Sequence, residues 1–149
     1  MATVSRGRTV AAPVQAVWDA LADFGVIGAW AGNVDHSCIL EHGPQGLVGT
    51  SRRVQVGRNA LVERITEAAA PMVLAYDIEG LPHRLRRVAN RWTLASAPEG
   101  GTDVRITSTV EIGANPLVRV AERALCAMMA TQSDTMLTGL AQKVEGSHD

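Results

Sequence analysis

The sequence predicts an α+β fold in which a curved, seven-stranded antiparallel sheet wraps around one long C-terminal helix. Three observations lead there. From His36 to Ile112 the apolar residues recur with period two, in six runs separated by breaks rich in Gly, Pro or Asp. The links between these runs are short, which makes consecutive strands antiparallel neighbours. Leu117 to Val144 is the only segment long enough, and free enough of Gly and Pro, to form a long helix.

Each element follows in order. Thr3 to Val10 carries Val4 and Val10 among polar residues, an edge-strand pattern that ends at Ala11-Ala12-Pro13. Pro13 opens a short amphipathic helix, because Val14, Val17, Trp18, Leu21 and Phe24 recur at three- and four-residue spacing before Gly25 stops them. Val26 to Trp30 reads as a second helical turn, so two short helices separate the first strand from the second. The segment through Asn33 and Asp35 reads as loop. The six further strands are expected at Ser37–Glu41, Leu47–Val56, Asn59–Thr66, Met72–Ile78, Arg86–Ala95 and Thr102–Ile112. In the last of them Val104, Ile106, Val110 and Ile112 alternate with polar residues, so one face is buried and the other solvated.

Asn115-Pro116 starts the long helix, with Asn as N-cap and Pro at the first helical position. At about 100° per residue, Val118, Leu125, Met129, Gln132, Met136 and Leu140 share one stripe, with Ala121 and Met128 on its edge. That stripe is expected to face the sheet. Residues 146–149 read as a frayed tail, leaving 1–145 as a single domain.

Composition narrows the function. With 46% hydrophobic and 19% charged residues, and no apolar run near the roughly 18 residues of a membrane span, a soluble globule is expected. The first residues show no signal-peptide pattern, which points to the cytoplasm. A net charge of −1, with arginines scattered among acids, argues against nucleic acid or a membrane as partner; a homodimer stays open. Arg84, Arg86 and Arg87 beside His83 read as a solvated loop and the start of a strand. Cys38 and Cys126 fit no CxxC or Cys/His spacing and read as free thiols. His36, His42 and His83 lack the spacing of a metal triad, and there is no H-E-x-x-H, Gly-x-Ser-x-Gly or phosphate-loop motif. No metal and no cofactor are expected.

Strand parity selects candidate site residues. Arg52 shares its face with Val54 and Val56, Glu63 with Leu61 and Ile65, Tyr76 with Leu74 and Ile78, Asn90 with Val88 and Trp92, and Ser108 with Ile106 and Val110. A filled core rarely tolerates five inward polar residues, because each unpaired one costs about 1–3 kcal/mol. They indicate a lined cavity. If Gly57-Arg58 forms a two-residue hairpin turn, Arg52 lies directly across from Glu63 and the two form a partly buried ion pair. That pair either fixes register or anchors a ligand. Trp92, together with Leu125, Met128, Met129 and Gln132 of the long helix, completes the expected wall, and Trp30 is placed near its mouth. Asp77 to Arg84, with Gly80 and Pro82, is expected as a rim loop.

The order of motifs is similar to that of a known family. Ala12-Pro13 with Val17-Trp18, Leu21, Asp23-Phe24 and Trp30 resembles the opening signature of the SRPBCC superfamily, also called START-like or polyketide cyclase/dehydrase-like. Val48-Gly49 with Arg52, Glu63-Arg64-Ile65, Tyr76 with Ile78, Gly101-Thr102 and the long terminal helix follow in that family's order. The resemblance implies a helix-grip fold with a cavity for lipids, sterols, polyketides or other apolar molecules. Two functions are then expected candidates. One is binding or transport of a small hydrophobic or amphipathic ligand. The other is a cofactor-independent polyketide cyclase/aromatase or dehydratase-like enzyme, in which Arg52 or Tyr76 polarises a carbonyl and Glu63 moves a proton.

Overall fold

The structure, a computed structural model, describes residues 1–80, 86–113 and 116–146. Its elements are β1 (Ala2–Val10), α1 (Val14–Ala22), a 3-10 helix (Phe24–Ala29), β2 (His36–Gly43), β3 (Gly46–Val56), β4 (Asn59–Ala69), β5 (Val73–Glu79), β6 (Arg87–Ser96), β7 (Thr102–Glu111) and α2 (Pro116–Gly146). All neighbours in the sheet are antiparallel, in the order β1-β7-β6-β5-β4-β3-β2. Each hairpin pairs consecutive strands, and β1 closes onto β7, so the short helices sit between the two edge strands. Register shifts in β2 and in β4, between Ile65 and Glu67, bend the strands and curve the sheet.

Alternation decides what the sheet buries. Val54, Ile65, Leu74, Leu94, Val104 and Ile106 join Val17, Trp18 and Leu21 of α1 and Leu137, Leu140 and Val144 of α2 in one cluster. The C-terminal half of α2 therefore packs against β1 and α1. A smaller cluster of Val88, Val110 and Cys126 lies under the N-terminal half. Burial pushes the Cys126 thiol up, followed by the effect of the Glu122 carboxylate, while Cys38 is exposed. Among the described residues, no helix is long and apolar enough to cross a membrane.

Three local expectations change. The first helix ends at Ala22 rather than Phe24, because Asp23 turns to φ −76°, ψ 71° and Phe24 starts the 3-10 helix. Ser37 of β2 clips that turn in place: its hydroxyl accepts from the Gly28 amide and donates to the Gly25 carbonyl, both at 2.8 Å. Asp77 to Glu79 belong to β5 rather than to a rim loop, and Leu81 to Leu85 lie outside the described residues, as do Asn115 and the tail from Ser147. Finally, Met136 and Leu140 are buried as the stripe requires, but the N-terminal half of α2 is turned past it. Glu122, Cys126, Ala130 and Ser133 are buried, whereas Val118, Leu125, Met129 and Gln132 are half-buried and Met128 is exposed. Small side chains let the helix approach β1 and β7, which leaves the bulkier apolar stripe beside them.

Candidate functional site

A cavity of about 510 Å³ opens between the sheet and the N-terminal half of α2. From the sheet it is lined by Val54, Val56, Leu61, Ile78 and Val88, with Glu63, Asn90 and Ser108 among them. The helix contributes Leu125, Met128, Met129, Gln132, Ser133 and Met136, and Ile27, Asn33 and Val34 close one side. The volume falls in the range of about 300–1,000 Å³ usual for small-molecule sites.

The β3–β4 hairpin sets the polar part of this wall. Gly57 takes φ +59°, a value suited to glycine, and the two-residue turn pairs Val56 with Asn59, Val54 with Leu61 and Arg52 with Glu63. Both charged side chains are buried, at 2% and 7% exposure. Arg52 donates from Nε to Glu63 Oε1 at 2.8 Å, its Nη2 forms an ion pair with the same oxygen at 2.7 Å, and its Nη1 donates to the Phe24 carbonyl at 2.9 Å. Its guanidinium lies 3.7 Å from the Phe24 ring centre and 4.8 Å from that of Tyr76. The ion pair is thus held by a backbone carbonyl and two aromatic faces as well as by its own charges.

A second network runs beside it across β5, β6 and β7. Ser108 donates to Asn90 Oδ1 at 2.6 Å, and Asn90 Nδ2 and Trp92 Nε1 both donate to the Tyr76 oxygen at 3.3 Å. Their register explains the meeting, since Tyr76, Asn90 and Ser108 are direct partners on adjacent strands. Burial pushes the Tyr76 phenol up, the Glu63 carboxylate adds to the rise, and Arg52 and the two donated hydrogen bonds oppose it. Tyr76 is therefore a neutral acceptor over the whole physiological range.

The structure brings Glu63, Asn90, Ser108, Leu125, Met128, Met129 and Gln132 together on the cavity surface. It does not bring Arg52, Tyr76, Trp92 or Trp30 there. Arg52, Tyr76 and Trp92 are buried behind the wall: Phe24 packs on Arg52 and edge-on against Tyr76, and Trp30 packs edge-on against Trp92. Trp30 lies away from the mouth: it packs edge-on against Trp92, with centroids 6.3 Å apart, and borders a separate surface depression with Gly32 and Gly139.

Three site features escape the sequence reading. Asn33, read there as loop, donates from Nδ2 to Gln132 Oε1 at 2.5 Å and ties the loop to α2 beside the cavity; its own Oδ1 is buried without a partner among the described residues. No sequence signal marks that contact. Ser133 lines the cavity next to Gln132, as the rotation of α2 requires. Glu122 accepts from the Ile112 amide at 3.0 Å and lies 3.2 Å from the Met1 amino group, so it ties α2 to β7 and β1. The Ile112 hydrogen bond holds its carboxyl below the usual range, against the opposing effect of burial. A Glu inside an apolar stripe is the signal that finds it.

A long helix held against a curved antiparallel sheet, with an internal cavity between them, defines a helix-grip domain. Residues 1–145 match the model of the family described as polyketide cyclase / dehydrase and lipid transport, and the chain belongs to that family. Solved structures agree on the fold. The Zhui aromatase/cyclase from Streptomyces sp. R1128 is 22% identical, with a TM-score of 0.79 over 97% of this chain and 93% of that one. A START superfamily protein from Mycobacterium smegmatis is 15% identical, with a TM-score of 0.76 over 97% of each chain. The protein XoxI from Bacillus cereus is 13% identical, with a TM-score of 0.78 over 100% of this chain and 99% of that one. No curated protein matches the sequence significantly.

Proposed function

We propose that this protein binds a small hydrophobic or amphipathic molecule in the cavity between its sheet and α2. The observation that carries this reading is the composition of the wall: aliphatic and Met side chains surround a compact polar group of Glu63, Asn90 and Ser108. Apolar burial at about 25 cal/mol per Å² supplies affinity, and the few polar atoms set orientation. Met128, Met129 and Met136 are unbranched and adapt to the outline of a ligand. Lipid transport is part of the description of the family, which supports the same reading.

The enzymatic alternative, a cyclase/aromatase or dehydratase, is less well supported by the geometry. It needs an acid or a cation on a substrate carbonyl, yet Arg52 and Tyr76 lie behind the wall and only Glu63 reaches the cavity. Fluorescence titration with the neutral apolar dye N-phenyl-naphthylamine tests the binding reading. It predicts saturable one-to-one binding that Met129→Trp, which fills the cavity from α2, weakens by about tenfold or more. Binding of equal strength in the variant counts against the cavity as the site.

A further inference from the structure

The polar side of the cavity has an acceptor without a donor. A guanidinium that grips a carboxylate as a fork gives one nitrogen to each oxygen. Arg52 instead turns both Nε and Nη2 toward Oε1 of Glu63, the first as a hydrogen-bond donor and the second as an ion-pair contact, which leaves Oε2 with no hydrogen-bond donor among the described residues, on a side chain that lines the cavity. Arg52 itself is 2% exposed and does not line it. The neighbouring groups add to the imbalance. Ser108 spends its hydrogen on Asn90 Oδ1, so its oxygen turns only lone pairs outward, and Asn90 has committed one of its two amide hydrogens to Tyr76.

On the reading that this cavity binds a small apolar molecule, we propose that its ligands are neutral and carry a hydroxyl group, which donates to Oε2 of Glu63. A hydrogen bond to a charged acceptor in a desolvated wall is among the stronger ones, so the hydroxyl is selected and not merely tolerated. A carboxylate in its place sets acceptor against acceptor at Oε2 of Glu63 and at the Ser108 oxygen. A cation gains little, because the Arg52–Glu63 pair as a whole is neutral. Specificity thus comes from a group that rejects as well as one that attracts.

Calorimetric titration at neutral pH with naphthol, its methyl ether and naphthoate tests this on one aromatic frame. The wild-type protein is expected to bind naphthol about tenfold more tightly than either of the others, equivalent to about 1.4 kcal/mol. In Glu63→Gln the amide oxygen stays with Arg52 and the NH2 group faces the cavity, so the preference for naphthol over naphthoate is lost or reversed. Equal affinities in the wild type, or tighter binding of the ether or of naphthoate, overturn the proposal and leave the cavity reading standing. Binding of none of the three removes both. The wild-type ranking needs no variant and decides alone if Glu63→Gln fails to fold.

Discussion

At the scale of single residues, the interior is organised by where polar atoms find partners. Tyr76 is the clearest case, since its oxygen satisfies both Asn90 and Trp92 and its ring covers Arg52. Its phenol is pushed above the ordinary value of 10.0, so the folded state holds the proton more tightly than the unfolded chain. The stability this represents is present in full below pH 10.0 and is lost as pH rises from there toward the higher folded value. Tyr76 is the one tyrosine in the sequence, so the tyrosinate absorbance band reports it alone. The band is expected to appear only above the ordinary range, together with unfolding. Tyr76→Phe should flatten the alkaline loss while costing about 1–3 kcal/mol at neutral pH, because it strands the Asn90 and Trp92 donors. A phenol that titrates normally in the folded protein would contradict this.

At the scale of elements, α2 joins two different environments. Its C-terminal half approaches the chain so closely that a Cβ on Gly139 would run into the Trp30 carbonyl oxygen. Gly139→Ala is therefore expected to destabilise the protein by about 1–3 kcal/mol in denaturant unfolding, the usual cost of overpacking. A neutral result would mean that the helix and the Trp30 segment are not held at this distance. The N-terminal half of α2 instead stands over the cavity, held by Glu122 against β7 and β1 and by Gln132 against Asn33. Element types and the register of the β3–β4 hairpin are legible in the sequence because period and turn chemistry are local properties. The rotation of α2 is not, because it depends on small and polar residues that fit a surface assembled from distant strands. The half-buried Leu125, Met129 and Gln132 line the cavity as the sequence leads one to expect, but the buried Glu122, Cys126, Ala130 and Ser133 beside them are not foreseen.

At the scale of the molecule, the same alternation that builds the sheet collects its polar side chains on one face. Arg52, Glu63, Tyr76, Asn90 and Ser108 can each be assigned to the inward side from parity, and all five are buried. Which of them meets the open space cannot be read from parity. That depends on depth across the curved sheet, where Phe24 and Tyr76 cover Arg52 and leave Glu63 at the surface of the cavity. The fold thus places one acidic group and an amide–hydroxyl pair in a mainly apolar wall, closed by a helix that adds Gln132 and Ser133 to its three methionines. The most direct test of this arrangement as a binding site is native mass spectrometry of the protein as purified, with Met129→Trp in parallel. A one-to-one adduct of a small apolar molecule on the wild type, reduced or lost in the variant, is the predicted result. A wild-type protein that carries no adduct and acquires none when offered naphthol would contradict it.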